Sequence, residues 1–202
     1  MKKALGLAVI GLLLAGASNA PRVIVFYGDS LTAGYGIDPD SAFPALVGQA
    51  LEKQGKEVKV VNAGLSGETS AGGLSRIDWV LRQPVDIFVL ELGANDGLRG
   101  LPIEQTEKNL QAIIDKVKAK NPNVKIVIAG MMVPPNMGPD YSSRFKKVFP
   151  ELARRNDAAL IPFLLEDVAG IEKLNQADGI HPNVEGHRIV AQNVLEVLEP
   201  LL

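Results

Sequence analysis

Val23-Ile24-Val25-Phe26-Tyr27-Gly28-Asp29-Ser30 decides how this chain folds. A run of β-branched and aromatic residues stops abruptly at Gly-Asp-Ser. That is the pattern of a buried strand delivering a serine hydroxyl to the rim of a parallel sheet. In open α/β sheets, ligands bind at the carboxyl ends of the strands. Ser30 is therefore a candidate nucleophile. Gly-Asp-Ser alone equally describes a strand-to-helix turn with a serine cap. The rest of the chain must supply a base, a group that orients it and an oxyanion hole.

Outward from that run the pattern repeats. Short apolar runs at Arg22–Tyr27, Val58–Asn62, Ile87–Glu91, Lys125–Gly130 and Ala159–Ile161 read as strands, apolar on both faces. Helical spacing runs between them, near Phe43–Gln54, Ala71–Arg82, Ile103–Lys120, Ser142–Arg155 and Val184–Leu198. Gly55, Pro84 and Asn121-Pro122 follow three of these as stop signals. Trp79 falls at a helical spacing that predicts packing. The alternating order predicts an α/β fold, a three-layer α/β/α sandwich around a five-stranded parallel sheet with right-handed crossovers.

Composition narrows the function. A length of 202 residues suits one domain, read here as 21–202, with a full core. A net charge of −2 leaves no electrostatic footprint for a nucleic-acid partner. The absence of cysteine excludes disulfides, thiolate nucleophiles and Cys-bound metals. With only His181 and His187 in the chain, a His-rich metal site is not expected, and no metal or organic cofactor is needed. A monomer or small homo-oligomer acting on a small molecule is expected. At the N-terminus, Lys2-Lys3 and the apolar run Ala4–Leu14 lead into small residues, the pattern of an export leader over residues 1–20. Cleavage after Ala17 or Ala20 would release a periplasmic or secreted chain with no membrane span. Ala17 stands where a lipoprotein signal needs Cys, so lipidation has no acceptor.

Three polar, glycine-rich loops follow the first three strands: Gly28–Gly34, Asn62–Thr69 and Gly93–Gly97. In a parallel sheet all three lie on one edge. Near the C-terminus, Asp178-Gly179-Ile180-His181-Pro182 puts a carboxylate three residues before a histidine in one tight loop. That spacing lets Asp178 hold the imidazole of His181 in one tautomer.

These four blocks together resemble the SGNH hydrolases, the serine esterases also called the GDSL family. The bacterial branch of exported thioesterase I/lysophospholipase and arylesterase enzymes is the most similar. The matching stretches are Gly28–Leu31, Asn62–Thr69, Glu91–Gly100 and Asp178–Asn183. The resemblance covers essentially the whole chain after the leader and implies a flavodoxin-like sandwich. It implies Ser30 as nucleophile, His181 as base and Asp178 as its partner. It also implies an oxyanion hole from the backbone N–H groups of Ser30 and Gly67 and the side-chain amide of Asn95. Gly64 is then conformational. Leu98, Leu101, Pro134 and Pro135 are implied in substrate binding, on the two loops that hold acyl chains in related enzymes. The implied substrate is a carboxylic ester, aryl or acyl, with thioesters and lysophospholipids as further candidates. A carbohydrate O-deacetylase or a non-catalytic lipid- or glycan-binding module on the same scaffold are the alternatives.

The chemistry asks for these residue types. A serine hydroxyl is too basic to attack unaided and needs a neutral imidazole to take its proton. Preorganised donors stabilise the tetrahedral oxyanion, and losing one costs about 10²–10³ in rate. Glycine at the second donor lets the backbone approach the substrate without a Cβ. Asp29 and Asp96 are expected to tie loops together rather than act as bases. His187 lacks an acidic residue three positions before it, since Val184 stands there, and is expected to take a surface or helix-packing role. Adjacent Glu166 and Asp167 have no partner motif and read as solvated. The loop Met131–Gly138 could line an acyl pocket or simply pack.

Overall fold

The computed structural model describes residues 20–202, and residues 1–19 of the expected leader lie outside them. Five parallel strands form one sheet in the order β2-β1-β3-β4-β5. They are β1 Arg22–Gly28, β2 Val58–Asn62, β3 Ile87–Glu91, β4 Lys125–Ala129 and β5 Ala159–Ile161. The helices are α1 Ser30–Ala33, α2 Phe43–Lys53, α3 Ser70–Val80, α4 Ala94–Leu98, α5 Ile103–Lys120, α6 Pro139–Asn156 and α7 Val184–Leu198. Helix α2 packs with α7, while α3 packs with α5 and α5 with α6. Neighbouring residues of β1 serve these two layers in turn, as the two-residue period of a strand requires. Phe26 meets Phe43 of α2 edge-on at 5.6 Å between centroids, and the Tyr27 hydroxyl donates to the Gly73 carbonyl of α3 at 2.5 Å.

This strand order has its topological switch point between β1 and β3, where the crossovers leave in opposite directions and a crevice opens. Ser30 follows β1 and Asn95 follows β3, so the sheet itself brings both to that crevice.

Two expectations change. Strand β2 is an edge strand, and Lys59 and Asn62 are exposed, so it is not apolar on both faces. Trp79 does not pack; it is 66% exposed. Helix α3 buries Gly73, Ile77 and Val80, and a residue two positions beyond Ile77 points about 200° away from it.

The junction of β1 and α1 is built on Glu91, the last residue of β3, which is fully buried. Its Oε2 accepts from the Asp29 N–H at 3.1 Å, the Thr32 N–H at 3.3 Å and the Thr32 hydroxyl at 2.7 Å. The chain passes so close that a Cβ on Gly28 would lie 2.3 Å from this carboxyl. Burial, then the neighbouring Asp29, pushes the Glu91 carboxyl well above the usual carboxylate range. Asp29 is buried too and is pushed up to about 6 by desolvation. His187 is also buried, and its Nδ1 accepts the Phe43 N–H at 3.2 Å. Burial lowers it to about 4.

Two outcomes are expected. Glu91→Ala strands two buried N–H groups and a hydroxyl and leaves a cavity, a loss of about 2–4 kcal/mol in urea unfolding. Glu91→Gln keeps an acceptor for the three donors but buries an unpartnered amide in place of Oε1, so it should lose less than Glu91→Ala; an equal loss would show that the acceptor is not what stabilises the turn. Protonated His187 is disfavoured in the folded state, so its contribution is complete above pH 6.5 and lost as pH falls through about 4. Asp29 acts in the opposite sense, losing its contribution as pH rises through about 6. The stability gap between the wild type and His187→Gln should therefore narrow on acidification from pH 7 to pH 4.5. A constant gap in unfolding free energy would show that His187 titrates normally.

Candidate active site

Ser30 is the first residue of α1, immediately beyond the N-cap Asp29. The His181 Nε2 lies 2.9 Å from Ser30 Oγ, although 151 residues separate them. The Nδ1 of His181 lies 2.7 Å from Asp178 Oδ2. The other oxygen, Oδ1, accepts the backbone N–H groups of Ile180 at 2.9 Å and His181 at 3.0 Å. Those N–H bonds and the imidazole hold the Asp178 carboxyl down at about 2. An ionised carboxylate only accepts, so the Nδ1 of neutral His181 carries its proton and Nε2 is free to accept from Ser30. The three residues form one hydrogen-bonded chain whose free end is the serine oxygen.

The loop carrying Asp178 and His181 is fastened on both flanks. The Gln176 N–H donates to the His181 carbonyl at 2.8 Å. Its side-chain amide donates to Pro182 at 3.0 Å and, across to the nucleophile loop, to the Tyr35 carbonyl at 2.7 Å. Asn183 then caps α7, its Oδ1 accepting from the N–H groups of Glu185 and Gly186.

The donor loops have their own anchors. Asn95 Nδ2 donates one proton to Asp29 Oδ2 at 3.0 Å, which fixes the amide nitrogen on the Ser30 side and leaves its second N–H unused by that bond. Asp29 thus does more than cap α1, where its Oδ1 accepts from Leu31 N–H at 3.0 Å. Gly67 adopts φ +78°, and a Cβ there would meet nothing nearer than Arg99 Nη2 at 4.0 Å. The left-handed backbone by itself therefore favours glycine at this position. Arg99 donates to the Gly67 carbonyl at 3.0 Å, and the Glu68–Arg76 pair with its 2.6 Å bond holds the base of the same loop. At Gly64 the reason is close approach, because a Cβ would fall 2.3 Å from the Ala33 nitrogen.

Asp96 is structural, accepting from the Ser70 N–H and hydroxyl and from the Thr106 hydroxyl, which joins α3 to α5. Leu98 ends α4 and is 40% exposed; Leu101 follows, its carbonyl bonded by the Tyr141 hydroxyl at 2.8 Å. Pro134 is exposed, and Pro135 opens a short helical turn that runs to Met137. The two loops that carry these four residues touch: a Cβ on Gly97 would lie 2.4 Å from Val133. Glu166 and Asp167 are exposed. Sequence reasoning missed Glu91, whose signal was a carboxylate inside an apolar strand. It also missed Tyr35, Arg99 and Gln176, whose contacts only the folded chain shows.

The chain is similar to several known esterases. The esterase TesA of Pseudomonas aeruginosa is 38% identical over 194 residues, covering 96% of both chains. The thioesterase 1/protease 1/lysophospholipase L1 of Escherichia coli strain K12 is 38% identical over 191 residues, 94% of this chain and 89% of that one. A crystal structure of the psychrotrophic esterase EstA from Pseudoalteromonas, inhibited by monoethylphosphonate, superposes with a TM-score of 0.84. It is 32% identical and covers 89% of this chain and 98% of that one. The model of the GDSL-like lipase/acylhydrolase family matches residues 26–189, from inside β1 to beyond the His181 loop. The chain belongs to the GDSL-like lipase/acylhydrolase family.

Proposed function

We propose that this protein hydrolyses carboxylic esters through an acyl-enzyme formed on Ser30. The observation that carries the proposal is the unbroken relay from Ser30 Oγ to His181 Nε2 at 2.9 Å and from His181 Nδ1 to Asp178 at 2.7 Å. His181 takes the serine proton as Ser30 attacks the carbonyl carbon. The oxyanion lies among the Ser30 N–H, the Gly67 N–H and the second amide proton of Asn95. The proton on His181 passes to the leaving group, and water repeats the cycle on the acyl-enzyme. Asp178 remains ionised throughout and keeps the imidazole in its reactive tautomer.

Leu98, Leu101, Pro134 and Pro135 are assigned to the acyl side of the site. Exposed Leu65 and Leu98, on the two loops that carry the donors, support an apolar acyl group over a carbohydrate. Thioesters and lysophospholipids are included as substrates by similarity to the E. coli relative. The basic and apolar stretch Lys2–Leu14 supports export to the periplasm or beyond, as a monomer or small homo-oligomer. Among the described residues, no helix is long and apolar enough to cross a membrane.

Ser30→Ala is expected to abolish release of nitrophenol from p-nitrophenyl butyrate while leaving the circular dichroism spectrum unchanged. An alkyl fluorophosphonate should add one adduct, on Ser30, read by peptide mass spectrometry; full activity in the variant would overturn the assignment. Asp178→Asn keeps the shape of the loop but admits the wrong tautomer, with an expected loss of about 10⁴ in kcat and little change in KM. A loss below about tenfold would remove Asp178 from the relay.

A further inference from the structure

Tyr35 lies exposed against the imidazole of His181. The ring centroids are 4.7 Å apart at 42°, and Tyr35 is 52% exposed. Its main chain is pinned to both halves of the relay. The Tyr35 N–H donates to the Ser30 carbonyl at 3.0 Å, and its carbonyl accepts from Gln176, which also bonds His181 and Pro182. Neither bond uses the side chain, so the ring is held beside the base by its backbone and presents an open face.

We propose that Tyr35 is the leaving-group face of the active site, and that it favours aromatic alcohols over aliphatic ones. The inference rests on the acyl-enzyme reading above. The proton removed from Ser30 resides on His181 Nε2 and must reach the departing oxygen or sulfur, so the departing group lies beside this imidazole. The carbonyl oxygen faces Gly67 and Asn95 instead. The apolar surface that a leaving group meets is thus the one against His181, the Tyr35 ring. An aromatic leaving group stacks or sets its edge against that ring, and an aliphatic one gains only area.

Leaving and arriving alcohols share one site by microscopic reversibility, and this gives a clean test. Let p-nitrophenyl butyrate form the butyryl-enzyme, and let water compete with benzyl alcohol or with cyclohexylmethanol. In alcoholysis the acceptor oxygen bonds to the acyl carbon and the Ser30 Oγ–carbon bond breaks. The acceptor's proton passes through His181 Nε2 to Ser30 Oγ. The ratio of ester to butyrate then compares two attacks on one intermediate. Damage to His181 or to the oxyanion hole affects both and cancels.

Tyr35→Ala is expected to lower the benzyl ester ratio about three- to tenfold, and the cyclohexylmethyl ratio less than about twofold. Tyr35→Phe should restore the benzyl ratio, because the ring and not the hydroxyl is the contact. An unchanged benzyl ratio in Tyr35→Ala overturns the proposal, as does an equal fall for both alcohols. Neither result touches the acyl-enzyme reading while hydrolysis still requires Ser30; activity surviving in Ser30→Ala would defeat that reading separately.

Discussion

A carboxyl group with no access to water sits where the sheet hands the chain over to the site. Glu91 gathers the N–H groups of Asp29 and Thr32 and the Thr32 hydroxyl on one oxygen, and so sets the turn that presents Ser30. An ionised carboxylate there would face a large desolvation cost and the repulsion of Asp29. A neutral one meets neither, and it still accepts. From this junction the dependence runs outward. The turn fixes Asp29, Asp29 orients Asn95, and the Ser30 carbonyl receives Tyr35, whose own carbonyl ties down the loop of His181. The hydrophobic layers enclose the sheet beneath this chain of bonds, with Phe26 and Tyr27 dividing their burial between the two faces.

Asp29, Asp96, Asp178 and Glu91 are four of the carboxyl groups along the motif stretches, and environment alone separates their work. Asp178 stands partly in solvent and accepts two backbone N–H groups, so its charge is stable where the imidazole needs it. Asp29 and Glu91 are enclosed, and desolvation raises both carboxyls above their usual range. Asp96 saturates its oxygens on Ser70 and Thr106 and joins two helices. Residue type gave no means of sorting these four; burial and partner count do.

The strands were legible because β-branched runs bounded by glycine and polar residues have few other readings. Val58–Asn62, Ile87–Glu91 and Ala159–Ile161 coincide with the observed elements, and α6 begins at Pro139 rather than Ser142 because proline is well suited to a first turn. Edge position was not legible, which is why β2 read as buried on both faces. The wrong placement of Trp79 has a similar origin: its helix was evident, but the buried face was set by neighbours distant in sequence. The four loops announced themselves through glycine, asparagine and aspartate, and the fold brings Ser30, His181 and Asp178 into hydrogen-bond contact. The supports of that contact were hidden. Gln176 reaches Tyr35 across 141 residues, and nothing local to either residue marks the bond.

The two halves of the relay are anchored unequally. Ser30 follows a strand buried from Ile24 to Gly28 and shares the stability of the whole sheet. His181 rides on a surface loop fastened mainly by amide and main-chain bonds at Asn175, Gln176 and Asn183. Local opening is governed by the weakest such unit, not by the core. Opening of that loop alone would part base from nucleophile while the sheet stays folded. Adaptation to cold or heat can proceed in that loop alone, leaving the core and the chemistry at Ser30 as they are.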